Sequence, residues 1–344
     1  GLGTSGQLGD DSTTTKSSPV LVGSGSWIAV SVGQLFTNAI KSNSILYSWG
    51  LNTYGQLGND TQISGRSGPN LAAYPLIRKS PIQIGIDSWV SVSSGLDHSA
   101  AINYNNLLFV WGVNTVGQLG DGTLTDRSSP VQIGASSWKA VSVGLTHTSA
   151  ISYNNLLFTW GRGFDGQLGE YNSVTDLYSW TAVSSAGSPT EHALAIRSDG
   201  ALFAWGYNGD GQLGDQTLVD KSLPVQIGTS SWTAVSAGSS YSSAIRSDGA
   251  LFTWGSGTNG KLGDGTPYRS SPVQIGTSSW TAVSTKLEHT AAIRLGGGLF
   301  CWGLNTFGQL GDGTLTSRSS PVQVGSSSWT AVSTGSSHTA AITS

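Results

Sequence analysis

Trp111-Gly-Val-Asn-Thr-Val-Gly-Gln-Leu-Gly-Asp-Gly-Thr123 leads into Ser129-Pro-Val-Gln-Ile-Gly134, then Ser137-Trp138, then Gly144-Leu-Thr-His-Thr148. Outward from this stretch, the same punctuation repeats. Gly-Gln-Leu-Gly or a near copy begins at Gly6, Gly55, Gly117, Gly166, Gly211, Gly260 and Gly308. A Ser-Trp pair ends at Trp27, Trp89, Trp138, Trp180, Trp232, Trp280 and Trp329. A Trp-Gly pair begins at Trp49, Trp111, Trp160, Trp205, Trp254 and Trp302. Seven and six make 13, which is every Trp in the chain. The Gly-Gln-Leu-Gly motifs lie 45 to 62 residues apart, a period typical of propeller blades.

Each period reads as four short strands. In the unit through Trp232, Trp232–Ser236 is a first strand and Ser242–Arg246 a second. Ser247-Asp-Gly249 is a hairpin turn signal. Leu251–Trp254 is a third strand with Phe252 and Trp254 on one face, and Pro272–Ile275 a fourth. The small residues of the first strand suit the crowded axis of a ring. A blade cannot cover its own faces, so its neighbours must. Each indole brings about 150–250 Å² to that interface, or roughly 4–6 kcal/mol gross before entropy. The reading is an all-β fold, a seven-bladed β-propeller of mostly four-stranded antiparallel blades. The whole chain, 1–344, forms one domain.

Composition narrows the function. The 344 residues include 48 Gly and only 10% charged side chains, with a net charge of −3. A nucleic-acid binder needs a basic patch against phosphates, so none is expected as partner. No apolar run is long enough for a membrane helix, so no membrane insertion is expected. Cys301 stands alone and can form no intrachain disulfide. The chain has no Met and starts at Gly1, which points to a processed chain or a piece of a longer one.

The repeat resembles that of the regulator of chromosome condensation family. The resemblance is carried by Trp111-Gly112, Gly117–Thr123, Ser129–Gly134 and Gly144–Thr148, and it extends over essentially the whole chain. It implies a seven-bladed propeller. Function is left open, because the family includes guanine-nucleotide exchange factors, chromatin binders, a plant ultraviolet photoreceptor and bacterial enzyme inhibitors. The photoreceptor carries a Trp where this chain has Leu145, which argues against that role.

Three units depart from the pattern. Between Gly58 and Trp89 lie about 13 extra residues, within Asn59–Ser80, that carry Arg66, Tyr74, Arg78 and Lys79. After Gly166 the fourth-strand motif is absent, and Glu170, Tyr171, Asp176 and Tyr178 occupy the shortened stretch. A three-stranded blade is expected there, with an edge open to a partner strand. These eight residues are the candidate partner-binding set. In the closing blade the C-terminus supplies Trp329–Ser333 and His338–Ile342, and the N-terminus supplies Pro19–Val22 as outer strand. The Leu-Phe-x-Trp strand between them is missing, and a further segment of the polypeptide is expected to supply it.

His98, His147, His192, His289 and His338 occupy one phase of the repeat, where Phe36 and Tyr241 also occur. Aromatic substitutes without ligand or base chemistry favour a structural role, holding a turn by hydrogen bonds. The Asp-Gly pairs at Asp121, Asp264 and Asp312 offer too few carboxylates for a calcium loop and read as turns. No metal, cofactor or nucleophile is expected, and the chain is read as non-enzymatic. The leading function is a scaffold that binds another protein. Few charges and Ser/Thr-rich loops suggest an extracellular, cell-surface or virion setting, with the cytoplasm as the other choice. A guanine-nucleotide exchange factor using the enlarged unit as a wedge is one alternative. Another is an inhibitor of a secreted enzyme, using Tyr54, Tyr171, Tyr178, Tyr207, Tyr268 and Phe307.

Overall fold

A computed structural model describes residues 1–60, 76–169, 178–187 and 190–344. Its strands fall into seven antiparallel blades in chain order. Blade 1 holds β1 (Trp27–Val32), β2 (Phe36–Lys41), β3 (Leu46–Leu51) and β4 (Ile77–Gln83). Blade 2 holds β5 (Trp89–Ser94), β6 (His98–Asn103), β7 (Leu108–Gly112) and β8 (Arg127–Gln132). Blade 3 has β9 (Trp138–Val143), β10 (His147–Ser152) and β11 (Leu157–Gly161). Blade 4 begins with β12 (Trp180–Ser185), β13 (His192–Arg197) and β14 (Ala201–Gly206). Its outer strand is the first half of β15 (Lys221–Ala237), whose second half is the inner strand of blade 5. Blade 5 continues with β16 (Tyr241–Arg246) and β17 (Ala250–Ser256). In the same way β18 (Tyr268–Thr285) passes from blade 5 into blade 6, which ends with β19 (His289–Arg294), β20 (Leu299–Gly303) and β21 (Arg318–Gln323). Blade 7 has β22 (Trp329–Thr334) and β23 (Thr339–Thr343).

A belt of seven hydrogen bonds closes the ring around the axis. In each inner strand a Ser hydroxyl accepts the backbone N–H of the next inner strand. The pairs are Ser31 with Ser94, Ser93 with Val143, Ser142 with Ser185, Ser184 with Ala237, Ser236 with Thr285, Ser284 with Thr334, and Ser333 with Val32. All seven are 2.8–3.0 Å long, and the last joins blade 7 to blade 1. Only a small side chain fits where seven strands converge, and only a hydroxyl serves the otherwise orphaned amide.

The apolar core lies between blades. Ile102, Leu108 and Leu119 of unit 2 pack with Trp138, Val143 and Ala150 of blade 3. Trp111, Trp205, Trp254 and Trp302 are fully buried. Each of the six Trp-Gly indoles donates its Nε1–H across the interface to a backbone carbonyl of the preceding Gly-Gln-Leu-Gly loop. The acceptors are Gln7, Gln56, Gln118, Gln167, Gln212 and Lys261, at 2.8–3.0 Å. A buried indole N–H needs such a partner. The second glycine of that loop lies against the same ring. A Cβ on Gly58 or Gly214 would fall 2.8 or 2.7 Å from the Nε1 of Trp111 or Trp254.

Two expectations change. Arg78 and Lys79 are not in the added stretch of unit 1. They lie on β4, where Arg78 pairs with Gly50 as Arg127 pairs with Gly112. The insertion hid the start of a regular outer strand. Pro19–Val22 forms no strand, because an outer strand bonds only to a third strand and blade 7 shows none among the described residues. Blade 3 shows three strands among the described residues; its stretch 170–177 lies outside them.

Candidate interaction surface

The two ends of the ring differ in chemistry. At one end sit the Gly-Gln-Leu-Gly loops and the turns that lead into each second strand, where the histidines stand. His98, His192, His289 and His338 each place Nε2 2.7–3.0 Å from a hydroxyl of the next blade: Thr148, Ser242, Thr339 and Thr37. Those hydroxyls spend their own proton on the Gln118, Gln212, Gln309 and Gln7 carbonyls. The imidazole must therefore be the donor, with its proton on Nε2. Burial holds all four pKa values down to about 3, so the rings are neutral. The role is structural, as the repeat phase suggests, but the bond spans two blades rather than holding a turn.

His147 breaks the series. Its partner position in blade 4 is Ala193, which has no hydroxyl. The ring turns instead to Glu191, with Nδ1 2.8 Å from Oε2. Glu191 also accepts from the Thr146 amide and hydroxyl and from Gln167. Burial alone would raise this carboxyl, but the His147 bond and those donors hold it at about 2. An imidazole–carboxylate pair is what a general base needs. Here the two side chains are only 0% and 2% exposed, so no substrate reaches them. The pair is a tie between blades.

Lys286 is a second departure, at a phase where five other units carry Gly and one carries Ala186. It reaches across the axis from blade 6 and donates to the Ser94 carbonyl of blade 2 at 2.8 Å. Burial pushes its pKa down to about 8. Neither Glu191 nor Lys286 was singled out from the sequence. The signal was there, as Ala193 where sister units have Ser or Thr, and as Lys286 where they have Gly or Ala.

The loop tips are the variable part of this face. In the loops that carry Gln, its side chain accepts the backbone N–H two residues before it, at 2.8–3.0 Å for Tyr54, Val116, Asp165, Asp210 and Phe307. In the Tyr54, Val116 and Phe307 loops an Asn braces the loop further: Asn52 accepts from the Leu57 amide, Asn114 from Leu119 and Asn305 from Leu310, whereas Gly163 holds that position in the Phe164 loop. Rigid tips thus present Tyr54, Val116, Phe164 and Phe307 to solvent. Phe164 is 87% exposed, with the Arg162 guanidinium 5.1 Å from its ring. Asp121 also serves a turn: it accepts from the Thr123 amide and hydroxyl and from Arg127.

The structure does not gather the eight candidate partner-binding residues into one site. Arg66, Tyr74, Glu170, Tyr171 and Asp176 lie outside the described residues. Arg78 and Lys79 are regular members of β4. Tyr178 packs edge-on against Trp180 and at a tilt against Phe203, with Arg197 over its ring. Cys301 is buried on β20. Among the described residues no group of three or more His, Cys, Asp or Glu is placed to hold a metal. No helix there is long and apolar enough to cross a membrane.

The regulator of chromosome condensation (RCC1) repeat profile matches residues 44–102, 105–151, 199–245, 248–293 and 296–342. A second profile of the same repeat matches 89–118, 185–212 and 280–309. The chain belongs to the RCC1 repeat family. The first profile leaves gaps over the first unit and over the stretch around the shortened blade.

Among curated relatives, the ultraviolet-B receptor UVR8 of Arabidopsis thaliana is 36% identical over 102 residues, 29% of this chain and 20% of the receptor. The probable E3 ubiquitin-protein ligase HERC4 of Homo sapiens is 32% identical over 100 residues, 29% of this chain and 9% of the ligase. The shared stretch is therefore a small part of either relative. Of solved structures, human WBSCR16 superposes with a TM-score of 0.83 at 22% identity, over 100% of this chain and 97% of that one. Yeast RCC1 (Prp20), solved bound to Kap60, gives 0.80 at 18% identity, over 92% of this chain and 80% of that one. These likenesses establish a shared RCC1 propeller fold.

Proposed function

We propose that this RCC1-repeat propeller is a non-enzymatic scaffold that binds another protein through its loop face. One observation carries the reading: apolar side chains stand exposed on loop tips that the repeat's own Gln holds in place, joined by an Asn in the Tyr54, Val116 and Phe307 loops. Aromatic anchors on a preorganised backbone bind at low entropic cost. The recurring His and Asp side chains are engaged within or between blades, so on this face the tips carry the exposed apolar groups; Tyr104, Tyr153 and Leu295 are exposed elsewhere. Prp20, a structural neighbour at 18% identity, has been solved with a protein partner, and its binding to Gsp1p and histones has been described. That neighbour shows that the fold can serve this use. The inhibitor alternative draws on the same face, through Tyr54 and Phe307. The exchange-factor alternative has no observation of its own, since most of its proposed wedge lies outside the described residues. An envelope or virion setting rests on composition alone and gains no support from the relatives.

The test uses cross-linking pull-down from native material, followed by a direct affinity measurement with the purified partner. Tyr54→Ala, Phe164→Ala and Phe307→Ala together should leave the melting temperature unchanged. The affinity should fall by at least about tenfold, as expected when hot-spot aromatics are truncated. Full affinity in the triple variant, or turnover of a substrate by the chain, would overturn the reading.

A further inference from the structure

The axis of the ring carries a cation that no carboxylate partners among the described residues. A cavity of about 110 Å³ lies there, walled by the inner strands. Its lining is Ser, Thr, Val and Ala, with Lys286 as its one ionisable residue. Lys286 follows directly on β18, and its side chain lies inside the ring while keeping part of its surface on the cavity.

The ammonium is under-partnered. It has three N–H donors, and one of them goes to the Ser94 carbonyl at 2.8 Å. Among the described residues the other two meet no protein acceptor, and no Asp or Glu pairs with the group. The acids at the turns of blades 4 and 6, Glu191 and Glu288, are spent on His147 and Lys261. Burial brings the Lys286 pKa down only to about 8, so the group keeps its charge at pH 7. A charge held inside a protein is costly unless it is paired and hydrogen-bonded.

The belt supplies further donors. The hydroxyls of Ser31, Ser93, Ser142, Ser184, Ser236 and Ser333 line the same cavity, and each accepts a belt amide. A hydroxyl also has a proton to give. None of these six has a protein acceptor for that proton among the described residues, whereas the seventh, Ser284, is paired with the Thr334 hydroxyl at 3.0 Å. An ammonium and a circle of O–H donors, with no acid in the lining, favour an anion over a cation or an apolar guest. Charge balance narrows the class. One negative charge neutralises Lys286, whereas a dianion would leave an uncompensated charge inside the ring.

We propose that the axial cavity binds one small monovalent anion of the halide class, held by the Lys286 ammonium and the hydroxyl protons of the belt. Blade 6 thereby turns a phase that is Gly or Ala in the other six units into an ion site.

Chloride and bromide are the probes. Crystals of the full chain grown in sodium bromide should show an anomalous bromide peak on the axis beside the Lys286 Nζ. In solution, wild type and Lys286→Ala are melted at one fixed ionic strength in sodium chloride, in sodium sulfate and in sodium gluconate, whose anion is too large for the cavity. Blade 4 already carries Ala186 at this phase, so the variant keeps a residue the fold accepts. Chloride should raise the wild-type melting temperature by at least about 2 °C over gluconate, the shift expected when a weak ligand binds only the folded state. Lys286→Ala should lose more than half of that rise, while Lys139→Ala, at an exposed lysine, should keep it. An axis that holds only water in bromide would overturn the proposal, and so would an equal chloride response in wild type and Lys286→Ala. A larger Lys286-dependent rise in sulfate than in chloride would assign the cavity to a dianion and overturn the monovalent class. Should Lys286→Ala fail to fold, the bromide peak alone decides.

Discussion

At the residue scale, the repeat uses one relay many times: imidazole to hydroxyl to loop carbonyl. Each buried ring is neutral in the fold and titrates near 6.5 when unfolded. The folded pKa is lowered, so this stability is complete above about pH 6.5. It is lost as pH falls from there towards 3, because the unfolded chain takes up protons that the fold refuses. Each ring costs on the order of 1 kcal/mol per pH unit across that window. Asp97, pushed up to about 6 by burial, acts in the opposite sense, but it is one group against four. The melting temperature should drop by at least about 10 °C between pH 7 and 4.5. Calorimetry across that range checks it, and a flat profile would contradict the relay. The histidine phase was legible in the sequence because Phe36 and Tyr241 share it. The Glu191 tie was not, because reading it means noticing that Ala193 removes a partner from a residue in another blade.

At the element scale, blade-to-blade packing depends on glycines that make room for indoles. Gly214 has φ of +79° and would place a Cβ 2.7 Å from Trp254, whereas Gly228 has φ of +62° with open space around it. Gly228→Ala pays backbone strain alone, about 1 kcal/mol. Gly214→Ala adds overpacking against a buried ring and should cost about 2–4 kcal/mol. Denaturant titration separates the two, and equal costs would mean that the indole contact is not tight. Strand identity was readable wherever the repeat was regular, since alternation and turn residues agree there. It failed for Arg78 and Lys79, where an insertion erased the spacing that marks the start of β4. It failed again for Pro19–Val22, whose sequence suits an outer strand but whose pairing partner is absent.

At the scale of the whole molecule, the account rests on one closed ring of seven unequal blades. The count was legible from thirteen tryptophans in two phases. The closure was not, because the belt of hydroxyls joins residues about 50 positions apart within the ring and 301 apart where blade 7 meets blade 1. Inner strands with Ser at the axis read only as small and polar. The proposed use of the loop tips as one binding face also requires a rigid ring. Hydrogen–deuterium exchange of the backbone amides tests this claim most directly. The account predicts that the belt amides of Val32, Ser94, Val143, Ser185, Ala237, Thr285 and Thr334 all exchange slowly and at similar rates. Fast exchange at Val32 alongside protection at the other six would contradict it, because the ring would then be open between blades 7 and 1.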